Sequence, residues 1–135
     1  MVATAVMNNY TLGLLLEQRL PDLVSKPGMW QSSIDDLTLY VFADELHDRM
    51  RIMIPVAEIE PHDRDLMRVL LLANFDRVLD ARYAINDGLV FSMFPHQLSL
   101  LTEPILDNAL ENVIALAQNT GSTFASSDLI FGGGV

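Results

Sequence analysis

The chain contains no cysteine. That absence excludes disulfides, thiolate metal sites and cysteine nucleophiles together, and it leaves the redox compartment unmarked. Long apolar runs are missing too: no segment approaches the roughly 18 to 20 uninterrupted apolar residues of a membrane-spanning helix. The N-terminus, Met-Val-Ala-Thr-Ala-Val-Met-Asn-Asn-Tyr, lacks the basic flank and unbroken apolar stretch of a secretory signal. The expectation is a soluble, cytoplasmic protein. Positive charge is scarce and lopsided. Eight Lys and Arg residues face 18 Asp and Glu, for a net charge of −10, and nothing from Tyr83 to Val135 carries a basic side chain. Phosphate backbones and anionic lipids recruit basic patches, so neither nucleic acid nor a membrane surface is expected as a partner.

Assembled chemistry is also lacking. The histidines, His47, His62 and His96, stand far apart, and none has the helical i, i+4 spacing that would point two ligands at one ion. Glu58, Glu60, His62, Asp63 and Asp65 are rich in oxygen, but their spacing misses the calcium-loop pattern and Pro61 interrupts them. Ser92 and Ser99 flank His96 without the Gly-x-Ser-x-Gly elbow that strains a serine into a nucleophile. Gly132 to Gly134 precede no Lys-Ser/Thr, so they are not a phosphate loop. No catalytic residue, metal ligand or cofactor is expected, and the chain is not read as an enzyme.

What is present is apolar material. Half of the 135 residues are apolar, enough for one domain to bury a core unaided. Leu12, Leu15, Leu16 and Leu20 share a helical face that ends at Pro21, with Gly13 weakening the helix. Residues 22–28, punctuated by Pro27 and Gly28, are read as a loop. Met29 to Ser33 is a short strand turning at Asp35 and Asp36. Leu37, Leu39 and Val41 then alternate with Thr38, Tyr40 and Phe42; both sets are largely apolar, so both faces of this strand are expected to be covered.

Met50, Ile52, Ile54 and Val56 share a strand face opposite Arg51, Met53 and Pro55, and Pro55 marks a strand end or a sheet edge. Asp63 and Asp65 suit the start of a helix running from Arg64 to Phe75. That helix is apolar on nearly every side, which calls for burial on more than one side. Asn86-Asp87-Gly88 is a tight hairpin turn, with Leu89, Phe91 and Met93 on one face of the strand that Pro95 closes. Thr102 caps a third helix whose stripe is Leu106, Ala109, Leu110, Val113 and Ala117, stopping near Gly121.

This order gives an α+β fold, an antiparallel sheet with three helices. The domain spans residues 1–121, followed by a flexible Ser- and Gly-rich tail, 122–135. Arg51 and Arg82, both on strands, form an anion or carboxylate clamp if their strands pair, and otherwise ordinary exposed ion pairs with Asp48 or Asp80. Met50, Met53, Met67 and Met93 are either core filler or an adaptable binding surface.

Arg49-Met50-Arg51-Ile52-Met53-Ile54-Pro55-Val56, the leucine-rich helix through Asn74-Phe75, and Leu79-Asp80-Ala81-Arg82-Tyr83-Ala84-Ile85-Asn86-Asp87-Gly88 followed by Val90-Phe91-Ser92 resemble the type III secretion chaperone-like family. The likeness is nearest to its stand-alone bacterial branch of YbjN-like and cyanobacterial-type proteins. It implies an acidic homodimer with an α-β-β-β-α-β-β-α layout and the middle helix at the subunit contact, which assigns Leu66, Met67, Leu70, Leu71 and Asn74 to the interface. It also implies a protein or peptide client held on apolar patches and sheet edges. The alternative is a small-molecule or anion sensor using Arg51 and Arg82 in a pocket between sheet and helix.

Overall fold

A computed structural model describes residues 6–76 and 80–125, with side chains described through residue 120. Helix α1 (Asn9–Arg19) starts where the Asn8 side chain accepts a hydrogen bond from the Thr11 N–H, and it stops before Pro21. It buries Leu12 and Leu16, with Leu20 just beyond. Gly13 has a positive role: a Cβ there would lie 3.3 Å from the Trp30 indole nitrogen. The bare backbone therefore lets α1 settle onto the sheet.

The sheet has six antiparallel strands: β1 (Val24–Lys26), β2 (Met29–Ile34), β3 (Leu37–Asp44), β4 (Arg49–Glu58), β5 (Arg82–Asn86) and β6 (Leu89–Gln97). Their order is β1-β2-β3-β4-β6-β5. Helix α2 (Arg64–Asp76) crosses between β4 and β5, and α3 (Glu103–Ala125) follows β6 after a single 3₁₀ turn at Leu98–Leu100. Asp63 Oδ1 accepts the Leu66 N–H and Thr102 Oγ1 accepts the Ile105 N–H, so both helices are capped by the residues the sequence singles out. Asp87 and Gly88 both adopt positive φ, the backbone a two-residue hairpin turn requires.

One face of the sheet carries the core. Trp30, Leu39, Val41, Met50, Ile52, Ile54, Val90 and Phe94 are buried there against Leu12 and Leu16 of α1 and Leu106, Leu110, Val113 and Leu116 of α3. Two hydroxyls pin α3 down. Ser92 Oγ donates to the Val113 carbonyl at 2.8 Å, and the Tyr83 hydroxyl bonds to Thr120 Oγ1. Arg19 joins α1 to α3 through Asp107 and Glu103. The hydrogen bond that Arg19 donates to Asp107, more than any other contact, raises the Arg19 pKa above its already high ordinary value.

Several expectations are corrected. Residues 22–28 are not wholly a loop, because Val24–Lys26 pairs with β2 as a three-residue edge strand. Pro55 lies inside β4, and Pro95 does not close β6, which continues to Gln97. The reason is the same for both prolines. The neighbouring strand has already ended on one flank, since β3 leaves β4 after Met53 and β5 leaves β6 after Met93, so no ladder partner needs the missing N–H. A bulge between Pro55 and Ala57 follows. Helix α3 passes through Gly121, at a cost of about 1 kcal/mol relative to alanine, and ends at Ala125. The first residues assigned to the tail are thus its last turn, and residues 126–135 lie outside the described residues.

Candidate functional site

The other face of the sheet is the candidate site. Strand alternation sends Tyr40 and Phe42 of β3, Arg49, Arg51, Met53 and Pro55 of β4, and Phe91, Met93 and Pro95 of β6 away from α1 and α3. Register aligns them in rows. Gln31, Tyr40, Met53, Met93 and Arg82 lie side by side across five strands. Beside them run Met29, Phe42, Arg51 and Pro95. The Tyr40 and Phe42 rings stack with centroids 6.1 Å apart. Tyr40, Met53, Phe91 and Met93 are only half-buried, and Phe42 is 39 % exposed. This corrects the expectation that both faces of β3 are covered. Among the described residues the helices pack elsewhere: α1 and α3 on the core face, α2 beside β5.

At the Arg49 end the face opens into a wide, shallow depression of about 1440 Å³ bounded by Phe42, Arg51, Met93 and Pro95 on the sheet and by the β3–β4 turn. The polar groups of this rim are committed to local structure. Asp48, at φ 52°, accepts from the Ser99 N–H at 2.7 Å, the Ser99 hydroxyl at 2.5 Å and Gln97 Nε2 at 2.7 Å. The Ser99 hydroxyl, then Gln97, hold its carboxyl below the ordinary aspartate range. Asp44 bonds to His47 Nδ1 at 2.7 Å, and that contact is the main reason its own pKa is lowered. Glu45 accepts the Asn9 N–H at the start of α1.

Serine and histidine are equally occupied. Ser92 is buried against α3, Ser99 is bound to Asp48, and His96 Nδ1 contacts the Gln97 carbonyl. Among the described residues no three His, Asp or Glu side chains converge as metal ligands, and no helix is long and apolar enough to cross a membrane.

Arg51 and Arg82 point out of the same open face and do not sit in a pocket between sheet and helix. Their strands do not pair, because β6 runs between them. Their Cα atoms are therefore about 12 Å apart by strand spacing and a two-residue offset. Arg82 donates to the Ala81 carbonyl, and neither arginine joins an ion pair among the described residues.

The α2 residues divide. Leu70 is 2 % exposed and faces inward. Asn74 also faces inward: its Nδ2 donates to the Tyr83 carbonyl at 3.1 Å and its Oδ1 accepts the Tyr83 N–H at 2.7 Å. That pair of bonds occupies the outer edge of β5 as another strand would. Leu66 and Met67 are half-buried, and Leu71 faces outward at 69 % exposure. Leu72 and Phe75, absent from the interface set expected from the sequence, are exposed beside it. The open-face residues that sequence reasoning missed, Tyr40, Phe42 and Phe91, were signalled by strands that are apolar at both alternating positions.

No family model matches the chain, and no curated protein matches it. Solved structures do. The chain is similar to a chain of the ExsC-ExsE complex, with 17% identity, 84% of this chain and 92% of that one covered, and a TM-score of 0.65. It is similar to a chain of the HopA1-SchA chaperone-effector complex, with 17% identity over 83% and 97% and a TM-score of 0.57. A third is a chain of the Yersinia pestis type III secretion chaperone SycH in complex with a stable fragment of YscM2, with 14% identity over 82% and 97% and a TM-score of 0.58. The chain thus has the type III secretion chaperone fold, as the sequence resemblance implies.

Proposed function

We propose that this protein is a non-enzymatic, cytoplasmic homodimer that holds a segment of another protein against the open face of its sheet, as a chaperone or adaptor. One observation carries the reading: a sheet face with Tyr40, Phe42, Met53, Phe91 and Met93 in adjacent rows and no helix of the described residues over it. Contiguous exposed apolar surface of this kind marks an interaction site. Met53 and Met93 at its centre suit varied partners, since methionine repacks at small cost. The solved structures most useful for comparison are complexes with other proteins, which supports a binding role. The non-enzymatic part rests on Ser92, Ser99 and His96 being committed to structural bonds.

The sheet edges contribute less. The β1 edge is three residues long, and Asn74 occupies the β5 edge at Tyr83. Self-association is assigned to the outward side of α2, where Leu71 with Leu66 and Met67 meets the partner copy and Leu70 and Asn74 fix the helix from behind.

The test is selection from a displayed library of random dodecapeptides with the intact protein as bait. Enriched apolar peptides that lose binding to Met53→Glu/Met93→Glu support the reading. No enrichment, or equal binding by that variant, contradicts it. Light scattering at micromolar concentration tests the dimer, and a monomeric mass removes it.

A further inference from the structure

The open face has the opposite charge to the chain. Four of the eight basic residues, Lys26, Arg49, Arg51 and Arg82, lie at its outward positions, against two of the 18 acids, Asp44 and Glu58. Those acids sit in the end rows, and Asp44 is bonded to His47. The middle rows carry Lys26, Arg51 and Arg82 among the aromatic and methionine side chains, with no acid at all.

The neighbouring carboxylates are unavailable to these cations. Asp48 is held by Ser99 and Gln97, and Glu45 caps α1. Among the described residues the Arg49 and Arg51 side chains make no hydrogen bond or ion pair, and the Arg82 side chain bonds only to the Ala81 carbonyl. A chain with a net charge of −10 has acids to spare for pairing them. Leaving guanidinium groups unpaired beside exposed apolar side chains gives the face both a hydrophobic and a charge preference.

We infer that the occupant of this face is an acidic, apolar peptide segment of another protein, with carboxylates that meet Arg51 and Arg82 on either side of an apolar anchor seated on Met53 and Met93. The inference rests on the reading of the open face as a binding surface. The two arginine Cα atoms are about 12 Å apart, and an extended chain rises about 3.3 Å per residue. Acids at positions i and i+4 with an aromatic or aliphatic residue at i+2 therefore match the face, since alternate side chains of an extended segment point the same way. Acidity without apolar content leaves the methionine rows exposed, and apolar content without acidity leaves the arginines unpaired. The rest of the chain, being strongly acidic, repels acidic segments elsewhere, so the face is where such a segment is accepted.

The dodecapeptide selection separates this proposal from the reading beneath it. Peptides enriched by the wild-type protein are expected to combine Asp or Glu with aromatic or aliphatic residues. The Arg51→Glu/Arg82→Glu variant, whose substituted positions are both exposed, is expected to enrich Lys- and Arg-containing peptides instead. A synthetic Leu-Ser-Asp-Ser-Phe-Ser-Asp-Ser-Leu peptide should lose roughly two- to fivefold in affinity per arginine replaced by Gln, and more at low salt than at high. Circular dichroism of each variant checks that the fold is retained. Apolar peptides with no acidic preference, bound equally by the Glu variant, overturn the proposal and leave the binding face intact. A wild-type protein that enriches nothing overturns both. Dissociation of the dimer by Arg51→Glu/Arg82→Glu would identify the occupant as a second copy and also overturn the proposal.

Discussion

The two faces of the sheet are built from the same strands, alternate residues apart, yet they meet opposite fates. Ile52 and Ile54 of β4 are wholly buried under α3, while Met53 between them is half-exposed and Arg51 beside them is fully outside. Both faces are apolar enough to bury. What separates them is the supply of helices: α1 and α3 pack on one side, α2 goes to the β5 edge, and among the described residues nothing is left for the other side. An uncovered apolar face on a strand-rich domain is a standing hazard unless something covers it. Its cationic middle indicates what kind of segment does.

The contrast breaks most severely at adjacent residues. Ile52→Asp should leave a carboxylate unpaired in the core and unfold the domain, a cost of several kcal/mol, whereas Met53→Asp should lower stability by about 1 kcal/mol or less; chemical denaturation compares them. A similar pair lies on α2. Leu70→Ala should cost about 2 to 5 kcal/mol, while Leu71→Ala stays within about 0.5 kcal/mol in the monomer. Leu71→Asp, with Phe75→Asp as a second disruption, should convert the proposed dimer to monomer in light scattering. Asn74→Ala removes both bonds at the β5 edge, with an expected loss of about 1 to 3 kcal/mol. It also removes the side chain that occupies this edge of β5, so concentration-dependent aggregation should rise.

The smallest effect sharpens the rim of the depression. Asp48 has a folded-state pKa below its ordinary value of 3.8, so the unfolded chain takes up its proton first as pH falls. Its stabilising contribution is therefore complete above about pH 4 and is lost as the pH drops through the lower, folded value. Asp48→Asn should melt below the wild type at pH 7, with the gap closing under acid conditions. A gap that widens as pH falls would contradict the role given to the Ser99 and Gln97 bonds.

Much of the fold was legible because local chemistry repeats what packing demands. Pro21, Thr102, Asp63 and Asn86-Asp87-Gly88 each mark a boundary by the backbone they require, and the structure uses every one of them. Strand β1 was not legible, since Val24-Ser25-Lys26 is exposed at all three positions and shows no buried alternation. Pro55 and Pro95 misled because proline reports a missing donor, and only the sheet order shows that no acceptor waits for it. The α2 residues could not be phased, because a helix apolar on almost every side gives no sign that Leu70 turns in and Leu71 out. The site was half legible. Arg51 and Arg82 were visible as exposed strand residues, but the surface joining them depends on β6 lying between their strands, a non-local fact.

Methionine methyl groups test the central claim most directly. Of the seven methionines, Met53 and Met93 lie at the centre of the open face and Met29 towards its β1 side, Met7 and Met50 are in the core, and Met67 is on α2. With the methyls isotope-labelled and the Leu-Ser-Asp-Ser-Phe-Ser-Asp-Ser-Leu peptide titrated in, the Met53 and Met93 signals should move while those of Met7, Met50 and Met67 hold still. Movement of Met67 with Met53 and Met93 unchanged would place binding on α2 and contradict the account.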